Sequence, residues 1–344
     1  MAKGKKRKHA GATRPAPAAR PRPSAPEPEP QPAERPLRLI AAAVLLLAIS
    51  GAAAFLAFGS GSGGEEETTA DPDELRVPWV DPDGVTPIVG AVDVNPADDS
   101  LWFSTNTGLF RVLPGGRRPE RVTGTLSTDL GTGEISEQLV IRFRGPDDLV
   151  ASGHPPAESE SDLPPALGMI ESGDGGRTWT GISEVGRADF HAIQVSRDRL
   201  VAAIFGQALV NVSRDGGRTF EPRTPPAPVI DLEVDPSDPR RWVGSTAEGL
   251  IVSADEGESW RQLVPTPNSR FAWPERDALY RIDPGGPVKF SSDGGRTWED
   301  RGSTGGEPQA LFAASEDLLY AALIDGTIKE SRDGGRSWTD RVAV

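Results

Sequence analysis

Ser291-Ser-Asp293-Gly-Gly295-Arg-Thr297-Trp298 occurs five times with small changes, and the spacing of the copies decides the architecture. The others are Ser172-Gly-Asp174-Gly-Gly176-Arg-Thr178-Trp179, Ser213-Arg-Asp215-Gly-Gly217-Arg-Thr219-Phe220, Ser253-Ala-Asp255-Glu-Gly257-Glu-Ser259-Trp260 and Ser331-Arg-Asp333-Gly-Gly335-Arg-Ser337-Trp338. The aspartates Asp174, Asp215, Asp255, Asp293 and Asp333 stand 41, 40, 38 and 40 residues apart, the length of one four-stranded antiparallel propeller blade. A single blade cannot bury both faces, so several must stack around a ring. Within each copy, Asp and Ser hydrogen-bond a tight turn, Gly supplies positive φ, and the closing Trp or Phe is a large apolar anchor. The five aspartates therefore read as turn staples and not as catalysts.

The strands of a blade follow by alternation from each motif. In the fourth unit Val229 to Asp235, Arg241 to Ser245, Gly249 to Ser253 and Trp260 to Val264 read as strands A, B, C and D, with the motif as the C to D hairpin. The same register covers blade three (Asp189 to Thr224), blade five (Ser269 to Gly302) and blade six (Pro308 to Val342). Blade two runs from Glu137 to Ser183, and blade one from Val89 to Thr123 with a degenerate hairpin at Pro114-Gly115-Gly116. The fold expected is all-β, a six-bladed propeller. A seven-bladed ring is the alternative and needs strands from around Val77 to Val80.

Ahead of the blades, Leu39 to Phe58 runs twenty residues without a charge, enough to span about 30 Å of hydrocarbon as a helix. Residues 1–36 carry nine Lys or Arg against three Glu, which orients that end toward the cytoplasm and the blades outside. A cleaved signal peptide competes through the small residues Ala52 and Ala54, but signal apolar regions are shorter, about 7–15 residues. The expected organisation is a disordered basic Pro-rich cytoplasmic tail at 1–36, a transmembrane anchor at 37–58, a Gly/Ser and acidic stalk at 59–87 and the propeller at 88–344. The remainder beyond residue 36 carries a net −20 of the chain's −14 total, which argues against nucleic acid as a partner. The absence of cysteine excludes disulfides, thiolate metal sites and cysteine nucleophiles.

The A to B and C to D turns share one face of a propeller, and the B to C and D to A loops share the other, around the channel mouth. The longest loop, Gly153 to Leu167, lies on the mouth face between strands B and C of blade two, and begins with His154. The next loop on that face holds Ala188-Asp189-Phe190-His191. The chain has three histidines, and His154 and His191 are the two outside the tail. Two imidazoles with Asp189 suit a divalent cation, ligand orientation or proton transfer; otherwise each histidine caps its loop through backbone hydrogen bonds. No other cofactor is expected.

The repeat S-x-D-x-G-x-[TS]-[WF] resembles the Asp-box, or BNR repeat, of sialidases, Vps10-type receptors and photosystem assembly factors of the Ycf48 kind. Ala151-Ser-Gly-His154-Pro, Leu167 to Trp179 and Ala188-Asp-Phe-His191-Ala resemble more specifically the bacterial F510_1955 family, exported proteins labelled glycosylhydrolase-like on repeat similarity. That resemblance covers roughly Val89 to Val344. It implies further histidines in blade one, where this chain has Ile88-Val89-Gly90-Ala91 and Thr105-Asn106-Thr107-Gly108, so Asn106 joins His154, Asp189 and His191 as a candidate ligand-binding residue.

A sialidase would need a tyrosine nucleophile with a glutamate partner, but Tyr280 and Tyr320 occupy the same strand B position and read as core. Phe143-Arg144-Gly145-Pro146 echoes a sialidase signature but falls at an A to B turn. Another glycoside hydrolase would draw on Asp189, Glu248, Asp283 and Asp325 at the mouth, with Asp189 the candidate catalytic residue. The reading is a membrane-anchored, extracytoplasmic module that binds or assembles a protein or a cell-surface glycan; the alternative is a glycoside hydrolase of non-sialidase specificity.

Overall fold

The computed structural model describes Met1 and residues 87–343, apart from 136–138, 156–161 and 197–198. The tail, the anchor and nearly all of the stalk lie outside the described residues, as does the segment that a seventh blade would need. Among the described residues no helix is long and apolar enough to cross a membrane.

Among the described residues six sheets form the ring, antiparallel but for one strand pair in the second, each built from one continuous stretch of chain. Their innermost A strands are Val89–Val94, Leu139–Gly145, Phe190–Ser196, Val229–Val234, Arg270–Glu275 and Pro308–Ala313. Each packs against the A strand of the next blade, and the last packs against the first. Among the described residues no strand is shared between the ends of the ring. Closure rests on side chains instead: Val92, Phe103 and Val112 of blade one bury against Tyr320, Ala322 and Ile328 of blade six. The Val89 N–H also donates to Gln309 Oε1 at 2.8 Å.

The five repeated hairpins join strand C to strand D at the expected places. In the first, Asp174 Oδ1 accepts from the Arg177 N–H (3.0 Å), the Thr178 N–H (2.8 Å) and the Ser172 hydroxyl (2.9 Å), while Oδ2 accepts from the Thr178 hydroxyl (2.6 Å). Gly175 and Gly176 take φ of 72° and 79°, a left-handed pair that glycine adopts without a Cβ clash. The Thr178 hydroxyl and N–H hold the Asp174 carboxylate down near pKa 2. Asp215, Asp293 and Asp333 accept the same bonds from their own hairpins, and Asp255 accepts all but the one from the third residue on, so all five are consumed locally.

Blade two departs from the expectation of four strands. Residues 124–135, left between blades in the sequence reading, form a hairpin of Gly124–Ser127 and Thr132–Ile135 on the outer edge, giving a six-stranded sheet. Gly124–Ser127 runs parallel to strand D, with Leu126 opposite Trp179. The consequence is burial. Trp179 is 1% exposed, whereas Trp260, Trp298 and Trp338 at the same motif position are only half-buried. The outermost strand of an ordinary blade leaves its aromatic partly in water, and the added hairpin covers this one.

One channel layer has no counterpart in the motif. Asp93, Arg142, Gln194, Glu233, Ala272 and Phe312 hold one register position on the six A strands. Burial raises the Asp93 carboxyl to about pKa 6 against the opposing pull of Arg142, and burial together with Asp231 and Asp93 raises Glu233 well above its ordinary value. Acids raised in the folded state hold protons that the unfolded chain has lost, so their stabilisation is present below the unfolded pKa and fades as pH rises. For Asp93, the rise from 3.8 to about 6 corresponds to roughly 3 kcal/mol. The urea midpoint should therefore fall as pH rises from about 4 through about 6, and Glu233→Gln should flatten that slope. A midpoint independent of pH in both proteins would show that these carboxyls are solvated.

Candidate functional site

At the mouth, the D to A loop after Ser183 must fold back over the B to C loop of blade two. It does so through backbone bonds: Leu167 N–H to Gly153 O (2.8 Å), Gly168 N–H to Ala188 O (3.1 Å) and Gly186 N–H to Ala166 O (2.8 Å). The Phe190 N–H donates to Ser152 Oγ (3.0 Å), and the Phe205 N–H to Asp189 O (3.0 Å). Blade two's strand B end, blade three's strand A start and blade three's strand B end are thus fixed to one another.

His154, Asp189 and His191 come together on this frame, with one ligand-type atom of each within 4.8 Å of the other two. The imidazoles lie nearly parallel, 13° between planes and 6.2 Å between centroids. His191 Nε2 is 2.9 Å from Asp189 Oδ2, and its ring stacks on Phe205 at 4.2 Å. His154 Nδ1 is 3.0 Å from the Pro155 carbonyl oxygen, which can only accept, so Nδ1 carries the proton and Nε2 keeps a lone pair for a ligand. The Asp189 side chain is 16% exposed, and its Oδ1 is buried without a hydrogen-bond partner.

A buried carboxylate oxygen without a donor is costly, and a cation or a ligand N–H would satisfy it. Two imidazoles and one carboxylate form a donor set suited to a divalent transition metal with open positions. Tetrahedral bonds of about 2.0–2.2 Å bring ligand atoms to roughly 3.3–3.6 Å from one another, so binding would draw the three side chains closer by rotation. A cation entering between His191 and Asp189 displaces the shared proton.

Asn106 already has backbone partners in blade one. Its Oδ1 accepts from the Ile88 N–H (2.9 Å) and its N–H donates to Ile88 O (3.2 Å), so it ties the start of blade one to its own B to C turn. The mouth carboxylates divide similarly. Asp283 pairs with Arg281 at 2.7 Å and accepts from Ser269, and Asp325 caps the Thr327 N–H, whereas Glu248 is exposed. Tyr280 and Tyr320 are buried, which pushes both phenols up to about pKa 12, and the Tyr280 hydroxyl donates to Glu316 O. Arg144 is spent on Asp148 and Glu171.

Phe205 escaped the sequence reading. Its signal was present in Ala203-Ile-Phe205-Gly206, a large aromatic one step past strand B, but nothing local says that it stacks on a histidine fourteen residues earlier.

No protein-family model matches the chain, and no curated protein does. Among solved structures, YCF48 from Cyanidioschyzon merolae is 14% identical, with a TM-score of 0.46 over 74% of this chain and 85% of its own. YCF48 bound to a D1 peptide is 13% identical, with a TM-score of 0.48 over 75% and 93%. The GH74 xyloglucanase from Xanthomonas campestris is 18% identical, with a TM-score of 0.45 over 74% of this chain and 38% of the enzyme.

Proposed function

We propose that the chain is a membrane-anchored, extracytoplasmic propeller that binds a protein or a cell-surface glycan at the mouth between blades two and three, with a divalent cation held by His154, Asp189 and His191 organising the contact. The observation that carries this reading is the convergence of the three side chains beside the longest loop, with Asp189 Oδ1 buried and unpartnered. A rigid ring presenting such a donor set on stitched loops is suited to positioning a ligand. The resemblance of the repeat to Asp-box proteins accords with a scaffold of this kind.

The test is a titration of the metal-stripped, detergent-solubilised full chain with Zn²⁺ and Mn²⁺, followed by glycan and chromogenic glycoside panels with and without the ion. One equivalent should bind, and Asp189→Asn or His191→Ala should weaken it by about 100-fold with an unchanged thermal midpoint. Binding that both variants retain would remove the site. Glycoside turnover lost in Asp189→Ala would replace the binding module with a hydrolase.

A further inference from the structure

The A strands run from the mouth toward the A to B turns, and at that opposite end the channel opens into a cavity of about 260 Å³. Asp93, Arg142, Gln194 and Glu233 line it from blades one to four, and Trp273 and Phe312 from blades five and six. We propose that this cavity binds a primary alkylammonium group, the head of a lysine side chain or of a free amine.

Size is the first argument. Pockets for drug-sized ligands hold about 300–1,000 Å³, so this one accommodates a single side chain and not an oligosaccharide. Charge is the second. Asp93, Asp231 and Glu233 stand on A strands with two guanidinium groups, Arg142 and Arg270. Arg142 Nη1 donates to Ile141 O at 2.9 Å, and Arg270 Nε to Gln309 O at 2.6 Å. Asp93 accepts from the Val94 and Phe143 N–H groups, and Asp231 from those of Leu232 and Phe271, so both carboxylates staple neighbouring blades. Glu233 differs: one oxygen accepts from Gln194 Nε2 at 2.9 Å, leaving the second for an occupant.

The third argument is the cost. Blades five and six fill the same register position with Ala272 and Phe312, so the fold accepts apolar residues there, yet blade four places a half-buried carboxyl at it. An ammonium ion between Glu233 and Asp93 offsets the desolvation of the two carboxyls and donates hydrogen bonds to the cavity oxygens, while Trp273 and Phe312 accommodate the alkyl stem. Entry of the cation ionises Glu233, so binding releases a proton. The groups that set this titration are Asp231 on the same strand and Asp93, Arg142 and Gln194 across the channel. This site and the His154 site lie at opposite ends of the channel, and either can fail alone.

The experiment is calorimetric titration of the full chain with butylammonium, Nα-acetyl-lysine amide and 1-butanol in amine-free, low-salt buffer. Butylammonium should bind about tenfold more tightly at about pH 8 than at about pH 5.5 and not be matched by butanol. Glu233→Gln should weaken it by about tenfold and Asp93→Asn by a smaller factor, both variants unfolding cooperatively. Tighter binding of the lysine derivative would identify a protein side chain as the occupant, and equal binding a free amine. Equal affinity for butanol, an affinity unchanged with pH, or full binding by Glu233→Gln would overturn the proposal.

Discussion

Trp179→Ala is expected to lower the unfolding free energy by about 3–5 kcal/mol, the range for truncating a fully buried aromatic. The ring is 1% exposed, and its Nε1 donates to Gly176 O at 2.9 Å, so truncation leaves both a cavity and a carbonyl without its donor. It also removes the surface on which the added hairpin lies, since Leu126 is completely buried opposite it. Trp298→Ala is the matched comparison. Trp298 was expected to anchor its blade equally, but it is half-buried and its Nε1 has no partner, although Arg281 sits 4.5 Å over its ring. Its loss should be roughly half as large. Urea unfolding of both variants decides the matter: equal losses would mean that the hairpin contributes nothing to the burial of Trp179.

The second large effect is expected from Gly168→Ala. Gly168 has φ of 66°, and a Cβ there would stand 2.3 Å from Ser183 O and 2.5 Å from the backbone of Glu184 and Val185. The left-handed conformation costs about 1–2 kcal/mol for alanine, and the backbone overlap about 1–3 kcal/mol more. Backbone cannot swing aside as a side chain can, so the turn at Glu184 to Ala188 must move. That turn delivers Asp189, and the Gly168 N–H holds it through Ala188 O. Zn²⁺ affinity should therefore fall by about tenfold together with stability. Gly115→Ala is the control, with φ of 71° but nothing within 4 Å of the added Cβ. It should cost about 1–2 kcal/mol and leave the Zn²⁺ affinity unchanged. A Gly168 variant with full affinity would separate the loop stitching from the site.

The five repeated octapeptides determined the blades on their own because each hairpin closes on its own side chains: Ser, Asp, Gly and Thr within eight residues satisfy one another whatever surrounds them. The face carrying His154 and His191 was legible for the same reason, since a fixed count of strands per motif fixes the direction of every loop. The resemblance that pointed to Asn106 gives a position without saying that the side chain there already accepts from the Ile88 N–H. The hairpin at 124–135 was hidden because it has no repeat partner, and its value lies in a parallel contact with a strand some fifty residues later. The distances among His154, Asp189 and His191, the stacking on Phe205 and the acid-rich channel layer belong to tertiary structure alone. Local propensity and hydrogen bonding act over a few residues, whereas desolvation and the convergence of six A strands arise only when the ring closes.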